Sequence, residues 1–102
     1  MIHVIATVEL IPGQRDAFLA EFRRLVPLVR AEAGCVEYGP TTDVPTDIAA
    51  QVPLRPDVVT VVEKWESLDA LRAHSHAPHM VAYAEKVKPL LAERIIHVLS
   101  PA

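Results

Sequence analysis

The sequence lacks several features by which functional classes are commonly recognised. Its 102 residues include a single cysteine, Cys35, so no intrachain disulfide can form and a reducing compartment is the simple interpretation. It contains no glycine-rich phosphate loop, no Walker lysine and no Gly-x-Ser-x-Gly elbow, which excludes nucleotide and flavin sites of those kinds. An oxidase built on this chain would have to work without a dinucleotide-binding fold.

Long apolar runs and blocks of charge are missing as well. No apolar run approaches the roughly 20 residues needed to cross a bilayer, so we expect no membrane association. Residues 1–10 are interrupted by His3 and Glu9 and have no basic region, so we expect no signal peptide and a soluble, cytoplasmic protein. The net charge of −3 is spread along the chain without a clustered basic face, which disfavours nucleic-acid binding.

Hydrophobic residues, in contrast, are abundant. They make up 51% of a chain whose length fits one domain, residues 1–102. A domain of this size buries only about two-thirds of the surface that its unfolded chain exposes. The surplus could line a ligand pocket or be covered by a second subunit, and we expect both.

Hydrophobic periodicity predicts the secondary structure. The predicted strands are residues 1–10, 35–41, 58–66 and 94–99, and the predicted helices are 14–33, 68–76 and Pro78 to about Lys88. The order is β-α-β-β-α-β with the last helical part broken in two. It is typical of the α+β class, as a ferredoxin-like antiparallel sheet with helices on one face. The other sheet face is also apolar, so we expect a homodimer that covers it.

Glycine and proline residues refine this prediction. Pro27 falls inside the first helix and predicts a kink near Arg23, and Gly34 stands where a left-handed cap residue belongs. Gly39-Pro40 indicates a bulge or an early end of the second strand. Residues 43–56 have little periodicity and form a long loop, of a kind that is often functional or touches a partner.

The densest group of chemically versatile side chains is a histidine cluster. Three of the five histidines, His74, His76 and His79, lie within six residues. Imidazoles bind metals, but residues two apart on a helix point about 200° apart, so His74 and His76 cannot share a helical face. No aspartate or cysteine nearby completes a ligand set, so we expect no bound metal.

An acid–base role suits two of these histidines better. His74, at the end of one helix, and His79, early in the next, could approach a common cavity and take a phenolic proton or hold the resulting phenolate. Alternatively, His74 is a hydrogen-bonded structural residue and His79 packs the helix junction. Arg94 could pair with Glu63 across the sheet or face an anionic intermediate.

Aromatic and flexible side chains supply candidate binding residues. Trp65 could form a flat wall for an aromatic ligand or simply pack the core. Tyr38 and Tyr83 could donate hydrogen bonds to a quinol oxygen or straddle the surface. Met80 and Phe22 are typical of core or pocket lining.

Several short motifs, in this order, resemble those of the antibiotic-biosynthesis monooxygenase family. They are Glu32-Ala33-Gly34-Cys35, Tyr38, Glu63-x-Trp65-Glu66-Ser67, Ala73-His74 and Pro78-His79-Met80. The likeness extends from Pro12-Gly13 to Ser100-Pro101 and is greatest to the bacterial quinol monooxygenase branch.

The resemblance implies a dimeric α+β barrel with a pocket between sheet and helices. It implies oxidation of a quinol or other electron-rich phenol by dioxygen without a cofactor. This is physically reasonable, because a deprotonated quinol is itself a strong reductant and the protein need only bind it, remove a proton and stabilise the anion. On this basis Trp65 would wall the pocket, and His74 and His79 would be the base or the oxyanion partner.

One departure from related proteins narrows the function. Haem-degrading relatives carry an asparagine in the first strand and a haem-ligating histidine in the last helix, where this chain has Thr7 and Ala84. Haem breakdown is therefore not expected. Two alternatives stay open: a dimeric module that only sequesters a quinone or small aromatic, and an isomerase or catabolic enzyme on the same scaffold.

Overall fold

The computed structural model describes residues 1–102 and has the predicted ferredoxin-like arrangement. The strands are β1 (Ile2–Leu10), β2 (Cys35–Thr41), β3 (Val58–Trp65) and β4 (Leu91–Leu99), and the helices are α1 (Arg15–Arg30), α2 (Leu68–Ser75) and α3 (Pro78–Val87), followed by a 3-10 turn (Lys88–Leu90). The strands form one antiparallel sheet in the order β2-β3-β1-β4. None of the helices has the length and hydropathy needed to span a membrane.

The core lies between one face of the sheet and the helices. Alternate side chains of β1 and β3 point inward, as their sequence periodicity predicts, and meet the apolar stripe of α1. The buried side chains of these three elements include Val4, Ala6, Val8, Leu10, Phe18, Phe22, Leu25, Val29, Val59, Val61, Glu63 and Trp65. A titratable residue, Glu63, therefore occupies one of the inward positions, which has consequences for the site.

The first helix ends earlier than predicted, and its last turn tightens. Pro27 lies inside α1 as expected, but the helix ends at Arg30 rather than residue 33. The Glu32 N–H donates to the carbonyl of Val29, three residues back, so the chain leaves the α-helical pattern there. Gly34 has the predicted left-handed conformation, with φ of 82°. A Cβ atom on Gly34 would lie 2.6 Å from the Cβ of Ala70, so glycine lets α2 pack closely against this turn.

The irregularity in β2 is not where the sequence predicted it. The strand continues through Gly39-Pro40 to Thr41, and the shift of register falls instead between Cys35 and Glu37. The prediction of a bulge or early end at Gly39-Pro40 is therefore wrong.

Pro40 is tolerated because β2 is an edge strand. The carbonyl of Tyr38 accepts a hydrogen bond from Nε of Arg30 at 3.1 Å, so Tyr38 turns its backbone groups away from β3. Residues two apart in a strand turn their backbone groups the same way. The missing N–H of Pro40 therefore faces the open edge and costs no ladder hydrogen bond.

Strand β4 begins three residues earlier than predicted, and no helix covers it. Pro89 lies in the short 3-10 turn, and pairing of Leu91 with Leu10 starts the strand immediately afterwards. Beyond Leu91 every residue of β4 is exposed, including Ile96 and Val98 at 46% and 51%. The helices thus pack over β1, β2 and β3 and leave β4 as an open margin.

The predicted loop at residues 43–56 contains no helix or strand, and its ends are held together. Arg55 donates from Nη2 and Nε to the two carboxylate oxygens of Asp43, at 2.8 and 2.9 Å. This pairing lowers the pKa of Asp43 to about 2. Four large aliphatic side chains of the loop are exposed: Val44, Ile48, Val52 and Leu54.

Candidate active site

A cavity of about 800 Å³ lies between the sheet and the helices. It is lined by 21 residues, of which 15 are hydrophobic, so its interior suits an apolar ligand of small aromatic size. The other six are Glu63, His74, Ser75, Glu85, Lys88 and Arg94, and Tyr83, one of the 15, adds a hydroxyl group. One wall is formed by Arg94, Ile96 and Val98 of the uncovered strand, and we refer to these three residues as the β4 wall.

His74 is held at the end of α2 by local sequence signals. The hydroxyl of Ser67 caps the start of the helix by accepting the Ala70 N–H at 3.1 Å. The helix ends at Ser75, just before Pro78 begins α3, so His74 lies in its last turn. There it is buried against the core and also contributes to the cavity lining.

Four side chains surround the imidazole of His74, and we call them the His74 cradle: Glu32, Tyr38, Glu63 and Trp65. The indole of Trp65 lies 4.7 Å from the imidazole, centroid to centroid, and the ring of Tyr38 lies 5.5 Å away, edge to face. These rings restrict the orientation of the imidazole, because both are themselves fully packed in the core.

Glu32 fixes the protonation pattern of the imidazole. Its Oε2 atom lies 3.0 Å from Nδ1 of His74. An ionised carboxylate only accepts hydrogen bonds, so Nδ1 of His74 donates. Every fully buried side-chain nitrogen in the structure has a hydrogen-bond partner. Nε2 of His74 has no such partner, so it is not fully buried, and His74 lines the cavity. A neutral His74 therefore presents an unprotonated nitrogen to the cavity.

Glu63 is the second carboxylate of the His74 cradle, and it also lines the cavity. Nε1 of Trp65 donates to its Oε1 at 2.9 Å, which explains how the carboxyl group is held on an otherwise apolar strand face. Burial raises the pKa of Glu63, and it does so despite the opposing effects of the Trp65 hydrogen bond and of the positive charges of His74 and Arg94. Glu63 therefore holds its proton to higher pH than an exposed glutamate does.

The structure distributes the sequence-predicted site residues over three places. Phe22, Met80 and Tyr83 line the cavity together with His74. Trp65 and Tyr38 pack against His74 instead and are absent from the cavity lining.

His79 is separated from the large cavity. It lines a second cavity of about 130 Å³ between α1 and α3, and its Nε2 lies 2.7 Å from Oε2 of Glu32. The two predicted histidines are thus brought together through one carboxylate and not through a shared cavity.

Two carboxylates of the cradle were not among the predicted site residues. Glu63 carries a recognisable signal, because a charged residue at an inward strand position needs a partner or a function. Glu32 opens one of the family-like motifs, but its contacts with His74 and His79 span 42 and 47 residues, so the local sequence does not indicate its partners.

Arg94 remains free to face a ligand. It lines the cavity and makes no ion pair within 4.0 Å, so of the two alternatives for Arg94 the ion pair with Glu63 does not form. The tyrosine hydroxyls are donors at physiological pH, because burial raises the pKa of Tyr38 and Tyr83. The structure contains no group of three or more His, Cys, Asp or Glu side chains that could hold a metal ion.

The sequence of the chain is similar to those of known proteins. The model of the antibiotic biosynthesis monooxygenase family matches residues 1–86. YgiN of Escherichia coli strain K12, named a probable quinol monooxygenase, is 41% identical over 103 residues, which covers 99% of this chain and 98% of YgiN.

Solved structures agree with that match. PA3566 from Pseudomonas aeruginosa is 28% identical with a TM-score of 0.81, and the alignment covers 99% of this chain and 93% of PA3566. Rv0793 from Mycobacterium tuberculosis is 26% identical with a TM-score of 0.81, and the alignment covers 99% and 94% of the two chains.

Proposed function

This chain belongs to the antibiotic biosynthesis monooxygenase family, and from that premise we propose that it oxidises a quinol or related phenol with dioxygen and without a metal or bound cofactor. The observation that carries this proposal is the position of His74, which lines a largely apolar cavity of about 800 Å³ while its Nδ1 lies 3.0 Å from Oε2 of Glu32. A base at the wall of an apolar cavity is what removal of a phenolic proton requires.

The chemistry needs no external reductant. A quinol that gains one oxygen atom from dioxygen and leaves as a hydroxyquinone releases the second oxygen atom as water. Atoms and electrons balance in this conversion, because the substrate itself supplies all the electrons. The task of the protein is then to bind the quinol, accept its proton on Nε2 of His74 and stabilise the resulting anion.

The remaining polar groups have complementary roles in this proposal. The Tyr83 hydroxyl, and Glu63 when it is protonated, can donate hydrogen bonds to substrate oxygens, and Arg94 provides a positive charge at the opposite wall. Phe22 and Met80 contact the ring of the substrate. Trp65 and Tyr38 act through His74, by fixing its orientation.

The name of YgiN supports a quinol as the substrate class, and oxygen uptake tests it directly. The assay uses a reduced naphthoquinone with chelator-treated protein and compares the wild type with His74→Ala and His76→Ala. His76 is an exposed histidine two residues away that is absent from the cavity lining, so it is the matched control. We expect His74→Ala to lose about 10²- to 10⁴-fold in kcat and His76→Ala to retain it.

Labelled dioxygen distinguishes oxygenation from simple oxidation. With ¹⁸O₂ the product should gain one labelled oxygen atom, whereas a two-electron oxidation would give unlabelled quinone and peroxide. Tight binding of several quinols with no uptake above the spontaneous rate would instead indicate a module that sequesters its ligand.

We also propose a homodimer formed through the sheet face that no helix covers. Ile5 and Val62 lie side by side on that face, and Ile95 and Leu99 of β4 are 49% and 46% exposed. Light scattering should give a mass of twice 11.2 kDa, and the mass of a single chain at micromolar concentration would contradict the proposal.

A further inference from the structure

We propose that Glu32 is the positioning residue of the base and that His79, by sharing its carboxylate, sets how basic His74 is. This inference rests on the proposed role of His74 and extends it to two residues outside the large cavity. Oε2 of Glu32 lies 3.0 Å from Nδ1 of His74 and 2.7 Å from Nε2 of His79. One oxygen atom therefore accepts hydrogen bonds from two imidazoles.

The first effect of Glu32 is to fix the tautomer of His74. A carboxylate can accept only from N–H, so it holds the proton of neutral His74 on Nδ1 and leaves Nε2 free to act as a base. It also stabilises the imidazolium that forms when Nε2 takes a proton. The side chains of His74 and Glu32 are only 6% and 15% exposed, so solvent competes little for this interaction.

The second effect comes from His79, which competes with His74 for the same carboxylate oxygen of Glu32. Its side chain is 24% exposed, the most accessible of the three, and its distance to Oε2 is the shorter one. The N–H of His79 withdraws negative charge from the carboxylate, and it does so more strongly when His79 is protonated. His79 thereby weakens the stabilisation that Glu32 gives to a protonated His74.

Other charged and titratable groups face these two histidines and complete the electrostatic environment. Around His74 they are Glu63 of β3, Tyr38 of β2, Tyr83 of α3 and Arg94 of β4. Around His79 they are Glu21 and Arg24 of α1 and Tyr83 and Lys86 of α3. Oε1 of Glu21 lies 2.6 Å from Nη1 of Arg24, with which it forms an ion pair. The carboxylate that is hydrogen-bonded to both histidines is that of Glu32.

Glu32 and His79 make opposite predictions for the pH dependence of activity. In Glu32→Gln the charge is lost and an amide N–H can replace the acceptor, which favours the tautomer with the proton on Nε2. We expect kcat to fall about 10²- to 10⁴-fold, in the range found when the carboxylate of a catalytic histidine is replaced by an amide, with KM little changed. The pH at which the remaining activity is half-maximal on the acid side should decrease.

In His79→Ala the carboxylate serves His74 alone. We expect the same half-maximal pH to increase, and kcat on the plateau to fall less than it does in Glu32→Gln. Glu32→Asp, which keeps the charge, should recover part of the kcat lost in Glu32→Gln. Glu21→Gln is the matched control, because it removes a carboxylate beside the same small cavity that contacts neither histidine.

Nitrogen NMR of the histidine side chains tests the proposal independently of turnover. In the wild type at neutral pH, His74 should show a protonated Nδ1 and an unprotonated Nε2, and its titration midpoint should move down in Glu32→Gln and up in His79→Ala. This result stands even if no quinol is oxidised, in which case only the proposed function fails. An Nε2-protonated His74 in the wild type, shifts of the same sign in both variants, or a stoichiometric metal ion that both variants lose would overturn the inference.

Discussion

The cavity has two walls that are built in opposite ways. On one side, the His74 cradle places a histidine against side chains that are buried, hydrogen-bonded or stacked. On the other side, the β4 wall consists of side chains from a strand with no helix over it, and Ile96 and Val98 remain about half exposed. Precise orientation is thus confined to the base, and the opposite wall offers apolar surface and one unpaired arginine. A proton acceptor must be oriented, whereas an apolar ring needs only a surface of suitable shape.

The largest difference between the two walls should appear in stability. Trp65 is fully buried and donates to Glu63, so Trp65→Ala should lower the free energy of unfolding by about 3–5 kcal/mol. Val98→Ala on the β4 wall should change it by about 0.5–1 kcal/mol, because half of that side chain is already exposed. Urea denaturation of both variants measures the difference. Equal losses would show that the β4 wall is as tightly packed as the cradle.

A smaller effect concerns the pH dependence of stability, and it should be confined to the cradle. Burial raises the pKa of Glu63 above its ordinary value of 4.5, so the folded protein binds this proton more tightly than the unfolded chain does. Its contribution to stability is therefore complete below about pH 4.5 and is lost as the pH rises toward the raised pKa. Glu63→Gln should remove this loss, so its unfolding free energy should decline less than that of the wild type as the pH rises above about 4.5.

Parallel slopes for Glu63→Gln and the wild type would contradict that expectation. The matched control is Glu85→Gln, which removes a carboxylate from the cavity lining at an exposed position on α3. It should leave the slope of the wild type unchanged.

The smallest effect should be on substrate binding, and it should be confined to the β4 wall. If the proposed quinol contacts this wall, Ile96→Ala removes apolar contact with little change at the base. We expect KM to rise about 2- to 10-fold with kcat nearly unchanged, which is the pattern for a uniform binding contribution. Steady-state oxygen uptake separates the two constants. A loss of kcat at constant KM would show that Ile96 contributes to the chemical step, and the two walls would then not differ in function.

The sequence predicts the start of β4 less well than it predicts the strands at the centre of the sheet. Alternation in Ile2–Leu10 and Val58–Trp65 predicts strands with one inward face, because these strands do have a buried face. The early start of β4 at Leu91 depends on its pairing with Leu10, a tertiary contact that no local pattern encodes.

The cradle is predictable in part for the same reason. The inward position of Trp65 and the helix end at His74 follow from periodicity, from the Ser67 cap and from Pro78. The contact between Glu32 and His74 does not follow from local sequence. It spans 42 residues and depends on the packing of α2 on the Gly34 turn. Local sequence therefore provides the components of the site, and the fold determines their pairing.

The blocked edge of β2 has a consequence for how this protein can aggregate. Pro40 offers no donor to an approaching strand, and the carbonyl of Tyr38 is already occupied by Arg30. A strand from another chain therefore finds fewer free backbone groups along β2 than along β4, which disfavours fibril-like growth from both edges. Pro40→Val would restore a donor to that edge, and a variant with both edges open would be the one to form insoluble material on concentration or storage.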